Sequence, residues 1–421
     1  MSEDLTLPSQ GTPAAALVAE LADLRADDLD WRGGRAFSLV YNSGDEEHEE
    51  LLEAVGHSYQ HDNALNPFAY PSLLRMEVEL IAMAADLLGA PADAGALTAG
   101  GTQSIFCAVQ VARDQAREER GIAEPVLVTP ETAHPAFAKA AHYLDIEQRF
   151  APVGADGRVD LGALEGVIDD RTGLVVASAP CYPHGVIDDV AGVAALAAAK
   201  GSLCHVDACL GGWLLPFWAR AGADVPPWDL RVPGVTSLSA DLHKYGYSFK
   251  GASVILYRDP GLLRFQHFWY DRWPGGTYAS SGPAGTRPAP PIAAAWFAVR
   301  HLGVEGYVAK ARVLRDATAA FRAAVEAVPG LRITHEPDLS LFEFTDDLGR
   351  LDAIAAGMYG RGWRMDRQQG GLHVMLSPYH AEVAEQFAAD LAACAAAAGG
   401  GASGPADGAG PESTYGGIAG R

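Results

Sequence analysis

The chain has little positive charge, no Cys-x-x-Cys pair and no long apolar run. Lys and Arg number 31 against 53 Asp and Glu, a net charge of −22. No basic cluster is present to neutralise phosphates, so a nucleic-acid groove is excluded; the acidic surplus serves solubility. The five cysteines (Cys107, Cys181, Cys204, Cys209, Cys394) are an odd set, which suggests neither a disulfide framework nor a zinc site and points to a reducing, cytoplasmic setting. No segment reads as a membrane span. The acidic first residues lack the basic start and apolar middle of a signal peptide.

What is present is a 421-residue chain with about half its residues apolar, enough for an enzyme of more than one lobe. Leu17, Leu21 and Leu24 recur at helical spacing within Pro13 to Asp28, a lead-in helix expected to pack on a partner. Pro71 to Leu88 reads as a helix closed by Gly89. The polar loop Asn63 to Tyr70 precedes it. Strands and helices then alternate from Ala96 to Gly201, the pattern of a mainly parallel sheet. The Gly- and Pro-rich loop before Ile292 leads to two helices, the second from Glu305 to about Val328. An αββαβα pattern closes the folded part. The divisions expected are an N-terminal helical segment (1–70), a large domain (71–303), a small C-terminal α+β domain (304–398) and a flexible tail (399–421).

Four places carry chemistry. Gly100-Gly101 opens a long helix at Thr102, where backbone N–H groups and the helix dipole favour an anion; the pattern is neither a dinucleotide fingerprint nor a P-loop. His134 stands at a helix start after a strand, where it either reaches a cleft or caps the helix. Asp207 ends an apolar strand, and a lone buried carboxylate there calls for a cation such as a pyridinium nitrogen. Lys244 lies between the strand-like runs 235–240 and 252–257. It is expected to form a Schiff base with the aldehyde of pyridoxal 5′-phosphate (PLP).

The segments TAGGTQSI, AHPAFAKAAHY, HVDACLGGWLLPF, SLSADLHKYGYSFKGASVILYRD and WPGGTYASSGPAGTRP resemble those of sphingosine-1-phosphate lyases, a branch of the group II PLP-dependent decarboxylase superfamily. The resemblance covers roughly 31 to 380. It implies an α/β fold of type I, a mainly parallel seven-stranded sheet between helices, with the smaller domain following. It implies Lys244, Asp207 and His134 as catalytic residues, with Asp207 on the pyridine nitrogen and His134 stacked on the ring. Gly101, Thr102, Ser239 and His243 would hold the cofactor phosphate, joined by Gly285 and Thr286 from the other subunit of a homodimer. Tyr41 and Lys250 match two residues that bind the substrate phosphate in these lyases. Asn66 stands where the family has a histidine, Gln103 where it has a glutamate, and Ala289 where it has a glycine. The membrane-spanning N-terminus of the eukaryotic lyases has no counterpart.

With PLP bound, a β-hydroxy amine would undergo retro-aldol cleavage to an aldehyde and an amine, whereas an amino acid would lose carbon dioxide. Lys244, with its pKa lowered by the cationic cofactor, would reprotonate the carbanion. Tyr182, His184 and Tyr247 are further candidates for proton handling. A catalytically silent binding protein of the same fold is the third reading; the intact Lys244 and Asp207 speak against it. The substrate expected is a small-molecule amine or amino acid.

Overall fold

The computed structural model describes residues 7–26 and 28–399. The expected tail falls outside these residues apart from Gly399.

An exposed helix α1 (Ala14–Leu24) comes first, then α2 (Glu46–Ser58) and α3 (Pro71–Leu88). Gly89 closes α3 as expected, in the left-handed conformation at φ 82°. The large sheet contains β1 (Gly95–Thr98), β2 (Val126–Pro130), β3 (Glu147–Ala151), β4 (Thr172–Ser178), β5 (Leu203–Asp207), β6 (Ser237–Ala240) and β7 (Ser253–Tyr257). Between them run α4 (Gly101–Arg120), α5 (Ala136–Leu144), α6 (Leu161–Val167), α7 (Val190–Ala199) and α8 (Leu215–Arg220). Helices cover both faces, so β2, β4 and β7 are buried along their whole length, which explains their uncharged, largely apolar sequences.

The strand order is β1-β7-β6-β5-β4-β2-β3. Only β7 runs antiparallel to its neighbours. This is the fold-type I sheet. The C-terminal ends of the parallel strands therefore open on one edge, where ligands of such sheets bind. The edge strand β3 escaped the sequence reading because Glu147 and Phe150 are exposed and leave no continuous apolar run.

After α9 (Leu263–Gln266) a hairpin of β8 (Phe268–Tyr270) and β9 (Tyr278–Ser280) projects from the surface. Helix α10 (Ala289–Glu326) breaks at Gly303, whose φ of 55° and ψ of −175° separate the two helices expected from sequence. The second lobe is an antiparallel sheet of β10 (Leu331–Ile333), β11 (Leu341–Asp346), β12 (Asp366–Arg367) and β13 (Leu372–Met375), in the order β10-β11-β13-β12, with α11 (Leu351–Gly360) and α12 (Ala384–Ala398). The N-terminal segment is stitched to this lobe. Ala36 bridges Arg364, and the Phe37 ring stacks on Trp363 at 5.6 Å and on His380 at 5.1 Å. That packing carries Tyr41 towards the sheet edge.

Candidate active site

Lys244, Asp207, His134, Gly101, Thr102 and His243 all line one cavity of about 740 Å³ at the sheet edge, within the range of small-molecule sites. They arrive from four strand ends: Gly101 and Thr102 after β1, His134 after β2, Asp207 at the end of β5, and His243 and Lys244 after β6. Gly100 adopts φ 155°, a conformation closed to side chains, and turns the chain from β1 into α4. A Cβ on Gly101 would lie 2.6 Å from Cys209 Sγ and 2.9 Å from Asp241 Oδ2. The glycine is therefore needed for the helix N-terminus to approach the ends of β5 and β6. The first N–H groups of a helix have no partner within it, so this end of α4 presents donors to the cavity.

His134 does both things that its position suggested. Its Nδ1 accepts the Ala136 N–H at 3.1 Å, capping α5, while the ring lines the cavity. This fixes the neutral tautomer with the proton on Nε2. The ring is open to the cavity, yet the surrounding protein disfavours its charge; burial lowers its pKa and Asp207 partly offsets that. Asp207 is 7% exposed, and its Oδ1 accepts the Cys209 N–H at 3.1 Å and the Ser239 hydroxyl at 3.4 Å. His243 donates from Nδ1 to the Ala252 carbonyl at 2.9 Å, leaving Nε2 towards the cavity.

Other expected residues sit elsewhere. Ser239 is wholly buried, its hydroxyl shared among Asp207, His205 and Cys209, so it supports Asp207 from beneath and does not line the cavity. Asn66 turns its Oδ1 back onto the Phe68 and Ala69 N–H groups at 2.9 and 3.2 Å, in a solvent-exposed turn. Tyr182 donates to Asp366 Oδ2 at 2.8 Å, and His184 lies 3.7 Å from Glu343 Oε2 with its ring against His335. Both thus face the small lobe. Tyr247 is buried among Tyr245 and Tyr307. Gly285 and Thr286 belong to the loop after β9, whose Pro283 and Ala284 line this cavity beside Gln103. Gln103 itself accepts the Ala99 N–H at 2.9 Å.

Tyr41 and Lys250 do come together. The Lys250 ammonium lies 4.5 Å above the Tyr41 ring, and the Tyr41 hydroxyl donates to Met375 Sδ at 3.4 Å. Burial raises the Tyr41 pKa to about 12, Lys244 opposing. Lys250 keeps an exposed stem, but burial of its ammonium end, and then Lys244, bring its pKa down to about 8.

Asp241 escaped the sequence reading. It is 2% exposed and its Oδ2 lies 3.0 Å from Lys244 Nζ. The reasoning applied to Asp207, a lone carboxylate at the end of an apolar strand, fits Asp241 equally. Because of it the lysine is not depressed in the structure: burial works against the Lys244 ammonium, but Asp241 foremost, then Tyr41, Cys209 and Asp207, hold its pKa well above the ordinary lysine value.

The cavity thus gathers anion donors, a buried carboxylate, an amine and an imidazole. These fit a phosphate, a pyridinium nitrogen, an aldehyde and an aromatic ring. The model of the pyridoxal-dependent decarboxylase conserved domain matches residues 58–345. Sphingosine-1-phosphate lyase of Oryza sativa is 34% identical over 91% of this chain and 73% of its own, and that of Rattus norvegicus 37% over 92% and 69%. The chain belongs to the sphingosine-1-phosphate lyase family. It is a PLP-dependent carbon–carbon lyase. The solved structure of the Burkholderia pseudomallei sphingosine-1-phosphate lyase superposes with a TM-score of 0.89 at 39% identity, covering 93% of both chains. The L-aspartate decarboxylase of Thermococcus kodakarensis is 29% identical, over 91% of this chain and 98% of its own. Among the described residues no helix is long and apolar enough to cross a membrane.

Proposed function

We propose that the protein cleaves the Cα–Cβ bond of a β-hydroxy amine in retro-aldol fashion, giving an aldehyde and an amine, with a phosphorylated amino alcohol as the first substrate to test. The observation that carries this reading is the single cavity joining Lys244, Asp207, His134 and the N-terminus of α4 in a chain of this family. Lys244 would hold the cofactor through its aldehyde and is placed to return a proton to the substrate carbon. Asp207 keeps the pyridine nitrogen protonated, since a buried carboxylate favours a cation beside it. His134 supports the ring face, and Gly101, Thr102 and His243 hold the phosphate. When bound, PLP supplies the aldehyde that takes up the substrate amine and a ring that accepts the electron pair released by bond cleavage.

Lys250 and Tyr41 are the groups available to an anionic substrate head. Asn66 adds no charge to them, so phosphate recognition rests on one ammonium whose pKa is about 8. Amino-acid decarboxylation is the second reading, favoured by the likeness to L-aspartate decarboxylase.

The working unit is a homodimer in the cytoplasm. Trp269 and Trp273, 68% and 56% exposed on and beside the β8–β9 hairpin, are aromatic surface that a second copy would cover, next to the loop of Gly285 and Thr286. The apolar stripe of α1 is likewise uncovered. All five cysteines are free and buried, which suits a reducing compartment.

Product analysis with the PLP-loaded protein is the test. A long-chain or small aldehyde from the phosphorylated amino alcohol supports retro-aldol cleavage. Carbon dioxide from an amino acid, with no aldehyde from any β-hydroxy amine, would overturn it.

A further inference from the structure

Asp241 follows directly on the end of β6, at the start of the turn that carries Lys244. Its Oδ2 lies 3.0 Å from Lys244 Nζ and 3.7 Å from His243 Nε2. Two opposite charges buried this closely are ionised together, because either charge alone would be left uncompensated. We propose that Asp241 is the positioning residue of Lys244: its carboxylate fixes the amine as an ammonium at the cavity wall and so sets the pH at which Lys244 becomes a nucleophile. The inference rests on Lys244 being the residue that captures the cofactor.

An ammonium has no lone pair, so capture requires that its proton leave first. The neutral nitrogen then bonds to the aldehyde carbon, and the aldehyde oxygen departs as water with the two amine hydrogens. The groups that face Lys244 come from four elements. Its own connector brings Asp241, His243, Tyr245 and Lys250; the end of β5 brings Asp207 and Cys209; the N-terminal segment brings Tyr41; the start of α5 brings His134. Asp241 is the foremost of those that favour the ammonium. Burial pushes the Asp241 carboxyl up, but Lys244 and then His243 bring it below the usual carboxylate range. The same pair makes Lys244, whenever it is released, a proton donor and not a base.

The experiment follows capture of PLP by the full chain stripped of cofactor, from pH 6 to 10, through the visible absorbance of the bound cofactor and, after borohydride reduction, the mass added at Lys244. For the wild type the capture rate should climb into the alkaline range. Asp241→Asn should move that profile down by about one pH unit or more, so that capture at pH 7 is ~10-fold faster. Asp241→Glu should keep it on the alkaline side and guards against a merely structural effect. A profile unmoved in Asp241→Asn, or moved equally in both variants, overturns the inference. If the added mass falls on another residue, it is the reading of Lys244 that fails instead.

Discussion

Lys244 and Lys250 share one connector between β6 and β7, and their surroundings move their protons in opposite directions. Lys244 is enclosed by Asp241, Asp207 and Cys209 and is held as an ammonium. Among the described residues Lys250 makes no ion pair; it lies over an aromatic ring, where burial brings its pKa to about 8. Both are lysines partly withdrawn from water; the carboxylate beside one of them makes the difference. The cofactor side of the site is a charge-balanced network fixed by strand ends. The substrate side is a thinner arrangement, with Asn66 turned away into its own loop.

That contrast can be broken in order of size. Lys244→Ala should reduce kcat by ~10²–10⁴ or more through loss of proton transfer alone and should leave the protein colourless with PLP, whereas Lys250→Ala should stay yellow. Asp207→Asn should weaken cofactor retention by about 2–5 kcal/mol, read as PLP lost on dialysis, because the pyridinium loses its buried partner. Gly101→Ala forces a methyl against Cys209 and Asp241; about 1–3 kcal/mol of stability should be lost in denaturant titration, together with PLP affinity. On the substrate side, Lys250 is charged below pH about 8 and neutral above it. KM for a phosphorylated substrate should therefore rise as the pH passes through 8, and Lys250→Ala should abolish that rise. The smallest effect is expected of Asn66→Ala, a loss of about 0.5–1.5 kcal/mol from the turn with kcat unchanged.

The strands and helices of the large domain were legible because burial on both faces writes itself as continuous apolar runs, and because Gly89 and the glycines before α4 mark their turns. Gly101, His134, Asp207 and Lys244 were legible as a group because parallel strands deliver their C-terminal ends to one edge. What the sequence concealed depends on contacts between distant segments. Ser239 was expected at the phosphate, but its neighbours at the end of β5 claim its hydroxyl. Asp241 follows its strand much as Asp207 ends β5, so its burial was open to the same reasoning, but only the turn that folds Lys244 back onto it reveals the pair. Tyr182 and His184 point to the small lobe because Asp366 and Glu343 reach them from strands far away in sequence. No local pattern encodes that.

The most direct test sets the two lysines against each other. The PLP-loaded protein, reduced with borohydride and digested, should carry the cofactor mass on the peptide containing Lys244, with Lys250 unmodified. Cofactor found on Lys250, or on any lysine but Lys244, would contradict the account.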